Sequence, residues 1–82
     1  MPGRGIGCAT VAWIVDMLFA EYPSLHRIEA ATRFDNYAMR RVLELNRFVL
    51  EGRLRETWTS EDRTRYDTAL YSRLRTDTQH AL

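Results

Sequence analysis

The residues best equipped for chemistry stand first: Gly3-Arg4-Gly5-Ile6-Gly7-Cys8, followed at once by an amphipathic stretch. Glycine lacks a Cβ, so successive backbone N–H groups can crowd around an anion. A helix N-terminus adds roughly half a positive charge at the same place. Residues 3–8 therefore read as a cradle for a diphosphate, with Arg4 able to add a charge-assisted bond. The competing reading is a tight turn and nothing more. Cys8 falls in the first helical turn, where it serves packing or, through the helix dipole, carries a lowered thiol pKa. His26 and His80 lie far apart without metal-ligand spacing, and the single cysteine excludes an internal disulfide and a cysteine-based zinc cluster. Glu29 and Glu51 project from predicted strands, either into solvent or into a cleft. Trp13 and Trp58 read as packing residues, with a lining or dimer-contact role open for Trp58.

These residues need elements to position them. Val11, Ile14, Val15, Leu18, Phe19 and Tyr22 recur at helical spacing, and Trp13 and Met17 widen the apolar face toward cover on more than one side. Pro23 and Ser24 end this helix. Leu25 to Arg33 reads as a strand with Ile28, Ala30 and Thr32 on one face. Asp35 or Asn36 then caps a second helix whose buried stripe is Ala38, Met39, Val42, Leu43 and Leu45. Phe48 to Arg55 alternates as a strand, Thr59 to Arg63 is a polar turn, and Tyr66 to Leu74 alternates again, which predicts a hairpin. The expected fold class is α/β (α+β): two helices packed on a small three-stranded mixed sheet, in the order helix, strand, helix, strand, strand. The domain runs over residues 1–75, and 76–82 reads as a frayed tail.

Eighty-two residues make one domain at most. Hydrophobic content of 45% and charged content of 28% fit a soluble globular chain. All twelve basic residues are arginine, yet they are scattered, and a net charge of +1 gives no case for nucleic acid or an anionic membrane. The apolar segment from Cys8 to Tyr22 is too short to span a bilayer and carries Asp16 and Glu21. No signal peptide is recognisable, so a cytoplasmic location is expected.

Five pieces in order resemble a known family. Gly3-Arg4-Gly5-Ile6-Gly7 opens a helix, and Leu25-His26-Arg27-Ile28-Glu29-Ala30 follows as a strand. Asp35-Asn36-Tyr37-Ala38, Phe48-Val49-Leu50-Glu51-Gly52 with Leu54-Arg55-Glu56, and Tyr66-Asp67-Thr68-Ala69-Leu70-Tyr71 come next. Together they resemble the C-terminal half of the GCN5-related N-acetyltransferases (GNAT), most of all the subgroup acetylating ribosomal-protein N-termini and similar amines. The resemblance implies acetyl-coenzyme A as donor, with coenzyme-binding positions at Gly3, Arg4, Gly5, Ile6, Gly7, Cys8 and Asn36. Asn36 is a coenzyme contact, a helix cap, or both. The resemblance places Asp67 and Tyr71 on the last strand, in structural or acceptor-side roles.

The sequence departs from the family pattern in several places. Pro2 stands where the family loop usually begins with Gln or Arg. The family's proton-donating tyrosine corresponds to Leu43, and the subgroup's serine to Met39, neither of which can donate. No catalytic residue and no metal ligand is therefore assigned. Arg47 replaces the glycine of a usual Gly-Phe, which predicts an altered exit from the second helix. The glycine run also stands at the start of the sequence, whereas the family builds its acetyl and pantetheine site between a preceding strand and the one matching Leu25–Arg33. The leading expectation is the coenzyme-binding half of an acetyl-CoA-dependent N-acetyltransferase, inactive alone, its amine acceptor unspecified. Its partners are coenzyme A or acetyl-CoA and either a missing N-terminal half or a second copy in a homodimer. The alternative is a non-catalytic interaction or dimerisation module using an open sheet edge.

Overall fold

In a computed structural model the described residues are 7–77; Gly3, Arg4, Gly5 and Ile6 of the expected cradle, and His80, lie outside them. The order is helix α1 (Cys8–Glu21), strand β1 (Arg27–Arg33), helix α2 (Tyr37–Leu45), strand β2 (Val49–Thr59) and strand β3 (Arg65–Leu74). The fold class and element order are those expected. The sheet order is β1-β3-β2, and both pairings are antiparallel, so the sheet is not mixed in its ladders. The reason is topological. The α2 crossover sets β1 and β2 running the same way one strand apart, and the β2–β3 hairpin returns β3 into the gap between them.

Both helices serve one core. Its buried members are Val11 and Val15 of α1, Leu43 of α2, Phe48, and Ala69 and Tyr71 of the central strand. Phe19, Ile28, Ala30, Phe34, Met39 and Val42 pack around them. The alternation expected for β1 holds, with Thr32 buried and Ile28 and Ala30 half-buried on the core side. The apolar stripes are narrower than read. Trp13 is 64% exposed and Leu45 53%, and Met17, Tyr22 and Ala38 are also exposed, because three strands offer the helices a small surface.

β2 runs beyond the expected Arg55 to Thr59 by way of two register shifts, at Leu50/Gly52 and at Leu54/Trp58. The second has a visible cause. Glu56 takes φ 53°, and its N–H donates to Asp67 Oδ1 at 2.8 Å while Arg53 Nε donates to Asp67 Oδ2 at 2.6 Å. One carboxylate thus holds the irregular backbone of the neighbouring strand. The tip is closed by Ser60 N–H to the Thr64 carbonyl at 2.9 Å. Past β3, Asp77 Oδ2 accepts from Leu74 N–H at 2.9 Å and closes a turn.

The end of α2 also differs from expectation. Arg47 N–H donates to the Glu44 carbonyl and Phe48 N–H to the Leu43 carbonyl, each at 3.0 Å. This is the paired bonding of a Schellman motif, with Arg47 in the left-handed position at φ 69° and Phe48 packed on Leu43. The arginine does not alter the exit; it takes up glycine's conformation. A non-glycine residue there costs roughly 1–2 kcal/mol, partly offset by the flexibility glycine brings to the unfolded chain. Arg47→Gly should therefore stabilise the fold by about 0.5–1 kcal/mol, and Arg47→Ala should not. Urea unfolding of the two variants checks this; equal effects would mean the left-handed backbone is not the source.

Candidate functional site

The start of α1 is an open helix end. Gly7 is the N-cap residue, with φ −95° and ψ 173° and no side-chain cap, and the first turn contains no acidic residue. The first intrahelical bond runs from Val11 N–H to the Gly7 carbonyl at 3.2 Å. The N–H groups of Cys8, Ala9 and Thr10 precede that bond on exposed residues and have no hydrogen-bond partner among the described residues. They form the positive end of the dipole, with no acidic residue in the first turn to neutralise it. A Cβ built on Gly7 meets no atom of the described residues within 4 Å.

The other side of this turn is held firmly. Cys8 is exposed, and its carbonyl accepts from Asn46 Nδ2 at 3.1 Å, with Cys8 Sγ 3.3 Å from the same nitrogen. Asn46 Nδ2 also donates to the Val42 carbonyl at 3.0 Å, and the Asn46 carbonyl accepts from buried Arg73 Nη1 at 3.1 Å. Asn46 was legible only as the place where α2 fades. A buried C-cap asparagine with spare donors was the available signal.

Asn36 caps α2, and the choice between it and Asp35 is settled by partners. Asn36 Oδ1 accepts from Met39 N–H at 3.1 Å, whereas Asp35 accepts from Arg33 Nε and Nη2 at 3.0 and 2.8 Å. The Asn36 side-chain NH2 has no partner among the described residues, and the residue is exposed. Asn36 does not adjoin Gly7 and Cys8. They sit at opposite ends of α2, and at 1.5 Å per helical residue the step from Asn36 to Asn46 spans about 15 Å.

Neither position expected to match a family proton donor carries one. Leu43 is fully engaged in the core and Met39 is half-buried. Tyr71 is fully buried; its hydroxyl accepts from Arg40 Nε at 3.0 Å and donates to Glu44 Oε2 at 2.7 Å. Burial pushes this phenol above its ordinary pKa. Tyr71 is a core residue and Asp67 a backbone clamp, so the structure uses both structurally.

The carboxylates of Glu29 and Glu51 meet on the sheet face away from the helices, joined by one guanidinium. Arg27 donates to both Glu51 oxygens at 3.0 and 2.6 Å and to Glu29 Oε2 at 3.0 and 2.9 Å. Ser72 Oγ donates to Glu51 Oε2 at 2.6 Å. Arg27 first, then Ser72, holds the Glu51 carboxyl down at about 2. So acidic a group is a poor base, and this is a fastening between strands. Trp58 is 46% exposed on β2. No group of His, Cys, Asp or Glu among the described residues is placed to hold a metal ion. No helix there is long and apolar enough to cross a membrane.

Glu51 gives a pH prediction with a definite sign. Its folded pKa lies below the unfolded 4.5, so its contribution is present above pH 4.5 and is lost as pH falls toward 2. The original chain should exceed Glu51→Gln in stability at neutral pH, and the gap should close between those values. It should shrink with salt too, because the pair is partly exposed. Urea midpoints across that range check it; a gap unchanged to pH 2 contradicts the ion pair.

No family model matches the sequence, and no curated protein matches it. Solved structures do. The chain is similar to the ribosomal-protein-S5-alanine acetyltransferase from Vibrio fischeri, at 29% identity and a TM-score of 0.77 over 96% of this chain and 42% of that one. It is similar to a probable acetyltransferase, at 26% identity and a TM-score of 0.80 over 94% of this chain and 42% of that one. A ribosomal L7/L12 alpha-N-protein acetyltransferase in complex with coenzyme A shares the fold, at 24% identity and a TM-score of 0.74 over 90% of this chain and 41% of that one. The chain thus spans less than half the length of the structures it matches. Within that span the GNAT resemblance read from the sequence is matched in three dimensions: the chain has the fold of these acetyltransferases over nearly its whole length.

Proposed function

We propose that this chain is the coenzyme-binding part of an acetyl-CoA-dependent N-acetyltransferase. The observation carrying this reading is the open α1 N-terminus, uncapped and free of acidic residues, within a fold shared with acetyltransferases. Backbone amides at Gly7 and Cys8, together with Gly3, Arg4, Gly5 and Ile6, hold the diphosphate. The pantetheine arm runs along α2 toward Asn36, whose free NH2 donates to it. A diphosphate diester with a long amide-bearing arm suits two such contacts about 15 Å apart.

The acceptor is a primary amine, either a protein N-terminus or a small molecule. Transfer would join the amine nitrogen to the acetyl carbon, break the carbon–sulfur bond to release the coenzyme as thiolate, and pass the surplus amine proton to solvent. With Leu43 and Met39 at the donor positions, the thiolate leaves without a general acid. That loss costs about 10²–10⁴-fold, and the low end applies because a thiol of pKa about 8.5 leaves readily. By the family resemblance, donors to the thioester oxygen, each worth about 10²–10³ in rate, come from a strand before the glycine loop. The 82-residue chain alone therefore binds coenzyme weakly and transfers no measurable acetyl group.

Calorimetric titration with coenzyme A tests this. The chain should bind one equivalent weakly, with affinity falling as salt rises. Aspartate caps a helix as well as asparagine but lacks the NH2 donor. Asn36→Asp should thus keep the melting temperature and weaken binding about tenfold, the worth of about one hydrogen bond. Absence of saturable binding would overturn the reading, as would unchanged affinity in Asn36→Asp for the role of that residue.

A further inference from the structure

Two helix ends of opposite sign meet at the start of α1. Asn46 is the C-cap of α2 and stands at that helix's negative pole, and α2 has no basic residue in its last turn. The Asn46 side chain bonds the Cys8 carbonyl in the first turn of α1, the positive pole, which carries no acidic residue. Each pole amounts to about half an elementary charge. Two such poles in contact largely cancel, and the α1 amides would then offer an external anion little attraction.

Arg73 of β3 changes that balance. It alternates with the buried Ala69 and Tyr71 on the helix-facing side of the sheet, and its Nη1 donates to the Asn46 carbonyl at 3.1 Å. The residue is only 9% exposed. Among the described residues its buried Nε has no partner and no carboxylate pairs with it. Desolvating a guanidinium without a carboxylate is costly, and capping a helix does not require it. Arg75 bonds the carbonyls of Phe19 and Tyr22 at the end of α1 from a half-buried position, stacked on the Phe19 ring. With Arg73 in place, the charge where α1 and α2 meet is about one positive unit rather than zero.

We propose that Arg73 is the residue that makes the start of α1 an anion site. It neutralises the C-terminal pole of α2 through the Asn46 carbonyl, and so leaves the α1 pole to the coenzyme diphosphate. Arg73 touches no ligand in this role; it is a positioning residue, and the role rests on the coenzyme reading of the α1 N-terminus. Two hydrogen bonds and one residue place the guanidinium on the order of 10 Å from an anion at the first-turn amides. Over about that distance, at an effective dielectric constant of about 20, a unit charge is worth about tenfold in affinity.

Titration of the full chain with coenzyme A tests this. Arg73→Met should weaken binding about tenfold. Arg73→Gln, which keeps a donor for the Asn46 carbonyl but not the charge, should weaken it as much. Arg73→Lys, which keeps the charge, should bind within about threefold of the original chain. A role limited to the Asn46 hydrogen bond predicts instead that the Gln variant binds like the original. That result, or equal affinities of the Gln and Lys variants, would overturn the proposal and leave the coenzyme site standing. No saturable binding by the original chain would overturn both. If Arg73→Met does not fold, the comparison of Gln with Lys decides alone.

Discussion

A helix end leaves backbone groups without intrahelical partners, and in a fold this small those groups become its anchors. α1 commits only Val11 and Val15 fully to the core. Its position is set as much by polar ties at its ends. At the start, Asn46 Nδ2 grips the Cys8 carbonyl. At the end, Arg75 Nη2 donates to the carbonyls of Phe19 and Tyr22 at 3.1 and 2.9 Å, while its Nε donates to Leu25 at 2.9 Å. A cation at a helix C-terminus also complements the dipole. The first-turn carbonyl at Cys8 is thereby tied to protein and the first-turn amides face solvent, which is the polarity an anion site requires.

Those ties explain the arginines. They are scattered along the sequence, and the structure gives several of them a specific structural task. Arg33 lies 3.6 Å from the Tyr66 ring centre, Arg40 and Arg53 each lie 4.0 Å from that of Phe34, and Arg75 lies 4.7 Å from that of Phe19. Arg40 also donates to the Phe34 carbonyl at 2.9 Å. A planar fork that stacks and donates at once can do both jobs where an ammonium cannot.

Much of the fold was legible because hydrophobic period and breakers agreed. Pro23 marked the end of α1, the period-two runs marked β1 and β3, and the pair Asp35-Asn36 marked the start of α2. The misreadings share a cause, which is that they depend on partners distant in sequence. β2 extends past Arg55 only because Asp67 accepts the Glu56 N–H across the sheet. Arg47 looked like a disruption because a left-handed arginine is tolerable only where Phe48 packs on Leu43. The strand order, with β3 between β1 and β2, follows from topology that no local pattern encodes. Asn36 was readable as a helix cap, but Asn46 and Arg75, which position α1, were not readable.

The account rests on the first-turn amides of α1 being available to an anion. Amide hydrogen exchange at Cys8, Ala9 and Thr10, measured with and without saturating coenzyme A, tests that most directly. Fast exchange in the free chain that slows when the coenzyme is added, while Val11 stays protected throughout, is the predicted result. Amides already protected in the free chain, or exchange that the coenzyme leaves unchanged, would contradict it.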